Sequence, residues 1–276
     1  MSTQSSKGRA FRDLHARPGA FVIPNPWDAG SAKMLAAMGF EALATTSAGF
    51  AFSLGKPDTE GAVDRAETLA NVRAIVEASD LPVSADLENG FGHAIADVTL
   101  TIRLAGEIGL AGGSIEDATG DAARPIYDFG ESVERVAAAV EAARALGYPF
   151  TLTARAENLL HGKNDLKDTL RRLEAFADAG ADVLYAPGLR TLADIETVAK
   201  AVAPKPVNVL MGLAGPAFSV DELARAGVKR ISVGSALARA AYGAFLRAAR
   251  EMREQGSFTF ARDAVPFAEI NAMFRN

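Results

Sequence analysis

Short apolar runs alternate with longer amphipathic stretches along most of this chain. Each short run follows a Gly or Pro, ends in small or polar residues, and gives way to an Ala-rich segment. The runs are AFVIPN (20–25), FEALATTS (40–47), LPVSADLE (81–88), LAGGSIED (110–117), PFTLTARAE (149–157), ADVLYAP (181–187), KPVNVLMG (205–212) and VKRISVGS (228–235). They are short and rich in Val, Ile, Leu and Ala. That is the pattern of strands buried on both faces.

The intervening stretches have helical spacing. DAGSAKMLAAMG (28–39) opens near an Asp and stops at a Gly. VERVAAAVEAARALG (133–147) sets Val133, Val136, Val140 and Ala143 on one face and charges on the other. DTLRRLEAFADAG (168–180) and LADIETVAKAV (192–202) repeat the pattern. Strand and helix alternate without a linker-like break, which predicts one parallel α/β domain over residues 1–276. Eight units favour a closed (β/α)8 TIM-type barrel over a doubly wound sheet, and 276 residues suit its usual size of about 250.

The C-terminal segment departs from the repeat. A helical stretch (235–256) leads into SFTFARDAVPFAEINAMFRN (257–276), which carries Phe258, Phe260, Phe267, Met273 and Phe274. A tail this apolar must dock, either on its own barrel or on a neighbouring subunit. Composition narrows the partners. Net charge is −5, from 29 basic and 34 acidic residues. The charges are interspersed, so no nucleic-acid partner is expected. No run approaches the ~20 apolar residues of a membrane span, so no membrane partner is expected. Without a signal-like leader, a cytoplasmic enzyme is the simplest expectation. The absence of cysteine removes disulfides, thiolate nucleophiles and zinc–thiolate sites.

In a parallel barrel the chemistry lies at the C-terminal ends of the strands. The residues there are Asn25 and Asp28; Thr45, Thr46 and Ser47; Asp86 and Glu88; Glu116 and Asp117; Arg155 and Glu157; Tyr185; Asn208; Gly234 and Ser235. Five acids and one arginine thus come from three adjacent strands. Hard oxygen donors, with no Cys and no His at a strand end, suit Mg²⁺, or Mn²⁺, better than Zn²⁺. Mg²⁺ keeps several waters, so only some of the acids need touch it. Arg155 can clamp a substrate carboxylate. A metal beside an arginine suits a small 2-oxo acid or dicarboxylate.

Each residue also has a plainer reading. Asp28 and Asp117 can cap helices, and Arg155 can bridge Glu157 or Glu116. Gly90 and Gly92 can simply turn the chain. His93 and His161 receive no assigned role, and His15 reads as a surface residue of an N-terminal helix. Glycines in MGLAG (211–215) and VGSAL (233–237) follow strands 7 and 8, where barrels bind phosphate.

Over residues 11–255 the chain resembles the phosphoenolpyruvate mutase/isocitrate lyase superfamily. Four segments carry the resemblance. TSAGFAFSLGKPD (46–58) resembles its pyruvyl-binding loop, and DLENGFG (86–92) its Asp-x-Asp-x-Gly-[Tyr/Phe]-Gly metal motif. GGSIED (112–117) matches a family hallmark, and TARAE (153–157) resembles the segment with the substrate-binding arginine. The resemblance implies Mg²⁺ at Asp86, Glu88 and Glu116, with Glu88 in place of the family's second Asp. It implies that Arg155 binds the substrate carboxylate. It also implies that Thr46, Ser47 and Ala48 contact the pyruvyl group and that Asp58 lies near the reacting centre. Asn208 is assigned to substrate binding. An enolpyruvate-like intermediate follows, as does a homo-oligomer, dimer or tetramer, that exchanges a C-terminal helix.

The chain departs from the family after IED. The lyases' Lys-[Lys/Arg]-Cys-Gly-His loop and the phosphonomutases' Lys and Asn are replaced by ATGDAARPIYD (118–128). The expectation is therefore a Mg²⁺-dependent lyase or decarboxylase of an oxaloacetate-like acid. A phosphonomutase and a non-catalytic 2-oxo acid binder are the alternatives.

Overall fold

The computed structural model describes residues 3–59, 61–212 and 217–275. All eight apolar runs contain a strand. These are β1 (Phe21–Ile23), β2 (Leu43–Ala44), β3 (Val83–Asp86), β4 (Gly112–Glu116), β5 (Thr151–Arg155), β6 (Val183–Tyr185), β7 (Val207–Leu210) and β8 (Arg230–Ser232). Every ladder is parallel, and the order is β1-β8-β7-β6-β5-β4-β3-β2. Between β1 and β2 the ring is drawn together by the Ala44 N–H, which donates to the Pro24 carbonyl at 3.0 Å. The result is a nearly closed (β/α)8 barrel.

Helices clothe it: α1 (Gln4–Ala16), α2 (Ala29–Ala37), α3 (Ser47–Ser53), α4 (Arg65–Glu77), α5 (Ile95–Ile108), α6 (Phe129–Arg144), α7 (Leu166–Asp178), α8 (Leu192–Ala201), α9 (Val220–Arg225), α10 (Ala236–Gln255) and α11 (Phe267–Met273). Their starts follow capping chemistry: Asp28, Thr46, Asp64, Asp165, Thr191 and Ser219 each accept a backbone N–H of the first turn. Asp28 is therefore a helix cap. Val136, Val140 and Ala143 of α6 are buried as their spacing predicts, in a core of strand and helix aliphatics that rings the barrel.

α1 plugs the N-terminal end of the barrel. Gly8 allows the close approach, since a Cβ there would lie 2.1 Å from the Pro149 carbonyl oxygen. Phe11, Leu14, Phe21 and Ile23 form the plug. His15 belongs to it too, which corrects the surface assignment. Its ring sits edge-on to Phe11 and Phe21, its Nδ1 contacts the Phe11 carbonyl at 2.8 Å, and its buried Nε2 has no hydrogen-bond partner. Arg12 and Asp13 make this end of the helix look polar, but His15 lies one turn from Phe11 and shares its inward face.

The tail remains largely uncovered. Ala238 is the only buried residue of α10, and Phe245, Phe258 and Phe267 are exposed. The Phe274 ring reaches back to Gly30 of α2. No described helix is long and apolar enough to cross a membrane.

Candidate active site

β3 ends in Asp86, whose carboxylate is held from both sides. One oxygen accepts the Ser47 hydroxyl at 2.9 Å and its N–H at 3.4 Å. The other accepts Arg155 Nη1 at 2.9 Å and the Glu88 N–H at 3.4 Å. The Asp86 N–H donates to Thr45 Oγ1 at 2.9 Å. The loop that follows is a fixed scaffold. Glu88 and Phe91 adopt left-handed φ values of 48° and 58°, which non-glycine residues rarely do. Arg65 donates to the carbonyls of Gly90 and Phe91, and Arg135 to those of Asn89, Gly92 and His93. At Gly92 a Cβ would lie 2.2 Å from the Asp97 carboxylate, so a side chain there would displace Asp97 from Arg65.

Arg155, at the end of β5, is the hub. Its Nη1 also lies 3.1 Å from Glu116 Oε2, and its Nε lies 2.8 Å from Glu157 Oε1. Tyr185 stacks beneath it at 5.2 Å. One guanidinium thus serves three carboxylates. Burial pushes Glu116 well above the usual carboxylate range, Arg155 opposes the shift, and Glu157, Asp86 and Glu88 add to it. Asp58 is likewise raised, chiefly by burial and then by Asp86. The surrounding acids hold the Arg155 proton more tightly than usual, against the effect of burial.

The sequence-assigned residues gather around two connected spaces. Thr46, Ser47, Ala48, Asp58, Asp86, Arg155 and Asn208 line an inner cavity of about 180 Å³. Ser47, Asp58 and Arg155 also face an outer mouth of about 440 Å³, together with Glu88, Glu116, Glu157 and His161. Asp117 serves elsewhere. It accepts the Glu157 N–H at 2.7 Å and Arg172 Nη1 at 2.9 Å, and burial pushes its carboxyl up to about 6. It ties β4 to β5 and α7 rather than capping a helix. His93 contacts the Tyr127 hydroxyl at 2.7 Å and belongs to the packing of the 118–128 loop. Residues 213–216 of the glycine stretch after β7 lie outside the described residues.

Sequence reasoning at strand ends passed over the barrel interior. Ser84, Ser114, Arg230 and Ser232 line the same inner cavity. Arg230 stands at the start of β8, where it donates to Asn208 Oδ1 at 2.9 Å and to Thr153 Oγ1 at 3.0 Å. Its signal was present: an arginine inside a run otherwise fit for burial.

A divalent cation suits this donor set in one particular way. Among the described residues no three acidic or histidine side chains converge as a cage built wholly of protein would require. Mg²⁺ does not need one, since it commonly takes one or two carboxylates and keeps several waters. Asp86 offers the direct carboxylate, and Glu88 and Glu116 stand where they can hold waters. Three carboxylates share the single Arg155 guanidinium, so negative charge there exceeds its compensation.

The chain is similar to known proteins over nearly its whole length. The family described as phosphoenolpyruvate phosphomutase matches residues 11–253. A crystal structure from Burkholderia cenocepacia J2315, provisionally described as a lyase or mutase, is 63% identical with a TM-score of 0.96, covering 99% of this chain and 97% of that one. The 2-methylisocitrate lyase of Salmonella typhimurium is 32% identical over 232 residues, 81% of this chain and 77% of its own. Oxaloacetate acetylhydrolase, solved with its product oxalate, superposes with a TM-score of 0.89 at 25% identity, covering 99% of this chain and 95% of that one.

Proposed function

Since the chain belongs to the phosphoenolpyruvate mutase/isocitrate lyase superfamily, we propose that it is a Mg²⁺-dependent carbon–carbon lyase of a small 2-oxo dicarboxylic acid. Oxaloacetate decarboxylation is the concrete case. The carrying observation is Arg155 flanked by Asp86 and Glu116 above the start of α3. Bound among Asp86, Glu88 and Glu116, Mg²⁺ would supply charge neutralisation and draw electrons toward the substrate's 2-oxo oxygen.

The chain's own residues do the rest. Arg155, relieved of part of its duty to the acids by a cation, presents two N–H groups to the substrate carboxylate. Ser47 and Ala48, at the first turn of α3, offer backbone N–H groups to the pyruvyl end. Breaking the C3–C4 bond releases CO₂ and leaves its electron pair as the enolate of pyruvate. Asp58, raised by burial, is suited to hold the proton that C3 then takes up. The 118–128 loop carries no Cys, Lys or His, and of its acids Asp121 lines the outer mouth. It folds back on itself through a bridge between Ala118 and Ile126, and its Arg124 pairs with Glu131 at 3.4 Å.

The test is turnover of oxaloacetate with Mg²⁺, with and without EDTA. Activity indifferent to EDTA overturns the metal's role. The family match also favours a second reading, a phosphonomutase. Phosphorus NMR with phosphonopyruvate decides it, since a new phosphate-ester signal would replace the lyase reading. Binding of 2-oxo acids without turnover would instead make the protein a binder. The exposed apolar side chains of α10 and the tail support a homo-oligomer in which a second copy covers them.

A further inference from the structure

Arg230 is 5% exposed, yet among the described residues no carboxylate pairs with it. Its nitrogens Nε and Nη2 have the neutral partners Asn208 and Thr153, and its buried Nη1 has none. Of the other buried arginines, Arg172 pairs with Asp117 and Asp168, and Arg135 gives both terminal nitrogens to three carbonyls although its Nε has no partner. Burial acts most strongly against the charge of Arg230; the Tyr185 phenol favours the charged form, and the Arg155 guanidinium, a smaller influence, opposes it. Below Arg230 is the neutral His15, whose protonation Arg230 itself disfavours. A guanidinium held in the interior without an anion is an unfavourable arrangement. The same side chain lines the inner cavity beneath the acid cluster. That cavity measures about 180 Å³.

We propose that Arg230 is the second anion anchor of the site, binding the far carboxylate of a 2-oxo dicarboxylate whose other end lies at Arg155. This rests on the reading of the site as one for 2-oxo acids, and it adds the selection of dicarboxylates over monocarboxylates. Asn208 then acts as a positioning residue. Its amide donates to Ser232 Oγ at 3.0 Å, which turns its oxygen toward Arg230 Nε and leaves Nη1 for the ligand.

The test compares two ligands on the Mg²⁺-loaded full chain by titration calorimetry. 3,3-Difluorooxaloacetate keeps both carboxylates and cannot enolise at C3, and pyruvate lacks the far carboxylate. The wild type should prefer the dicarboxylate by about tenfold or more, and Arg230→Gln should lose most of that factor while pyruvate affinity stays within about twofold. Arg230→Lys should retain part of it. A preference that survives Arg230→Gln, or an equal loss for both ligands, overturns the assignment, as does failure of both ligands to bind. A second arm needs no variant: wild-type crystals soaked in bromide should show an anomalous peak beside Arg230 Nη1, and its absence also overturns the assignment. If the preference and the peak are present but oxaloacetate is not turned over, the anchor stands and the lyase reading falls.

Discussion

Arg155 Nη1 and Asp86 Oδ1 meet at 2.9 Å although their strands, β5 and β3, are separated by β4. The contact spans the barrel mouth, and the intervening strand contributes Glu116 to the same nitrogen. A ring of carboxylates around one cation is a strained arrangement that a divalent ion would relax.

Asp86→Ala removes the carboxylate that Ser47 and Arg155 both orient. Oxaloacetate turnover should fall by about 10²-fold, with a matching loss of Mg²⁺ affinity measured by titration. Glu88→Gln should weaken Mg²⁺ by about tenfold while a smaller share of activity is lost. Equal Mg²⁺ affinity in all three proteins would remove both residues from the metal's surroundings.

Arg155→Met leaves Asp86, Glu116 and Glu157 crowded without a counter-charge. Breaking a buried pair in this way costs about 3–5 kcal/mol, which thermal or urea unfolding will read. Mg²⁺ should restore more stability to this variant than to the wild type, because the acids then have only the metal to turn to. Arg155→Lys should fold but show a raised KM, since a point charge cannot replace the fork.

His15 carries a pH dependence that can be isolated. Its ring nitrogen is depressed from 6.5 to about 3, first by burial and then by Arg230. The unfolded chain therefore binds a proton between those values that the folded chain refuses. Stability is lost as pH falls from about 6.5 toward 3 and is regained as pH rises. His15→Leu lacks this loss, so at pH 5 it should gain about 2 kcal/mol on the wild type relative to their difference at pH 7. Parallel stability curves for the two proteins would refute the assignment.

The uncovered apolar side chains of the C-terminal helices predict self-association. Light scattering should show a dimer or tetramer, and Phe245→Asp with Phe267→Asp should shift it toward the monomer. A wild type that is monomeric at high concentration would leave those faces without an explanation.

The strands were legible because burial on both faces leaves an unbroken apolar run between Gly or Pro stops. Asp86, Arg155 and Glu116 were legible because they break that run at its end. Arg230 was not sought, because it breaks a run near its start, where a barrel interior is expected to be apolar. His15 is hidden in the sequence because its helix is mostly polar and its inward face is only Gly8, Phe11, Leu14 and His15 itself. The covering of the tail was not legible at all, since whatever lies on it is not encoded in local spacing.

The joint between β1 and β2 has one further implication. Other neighbouring strands share continuous ladders, but here the Ala44–Pro24 bond stands with a single side-chain link, Asn25 Nδ2 to the Thr45 carbonyl at 3.0 Å. Each such bond contributes about 1 kcal/mol net, so this is the cheapest place for the barrel to part. Thr46, Ser47 and Ala48 hang directly from it. The width of the mouth is therefore governed by a clasp, and Asn25, which also holds Val233 and Gly234 of the neighbouring strand end, is its pin. α2 bridges the clasp on the outside, and Phe274 rests against it like the end of a splint.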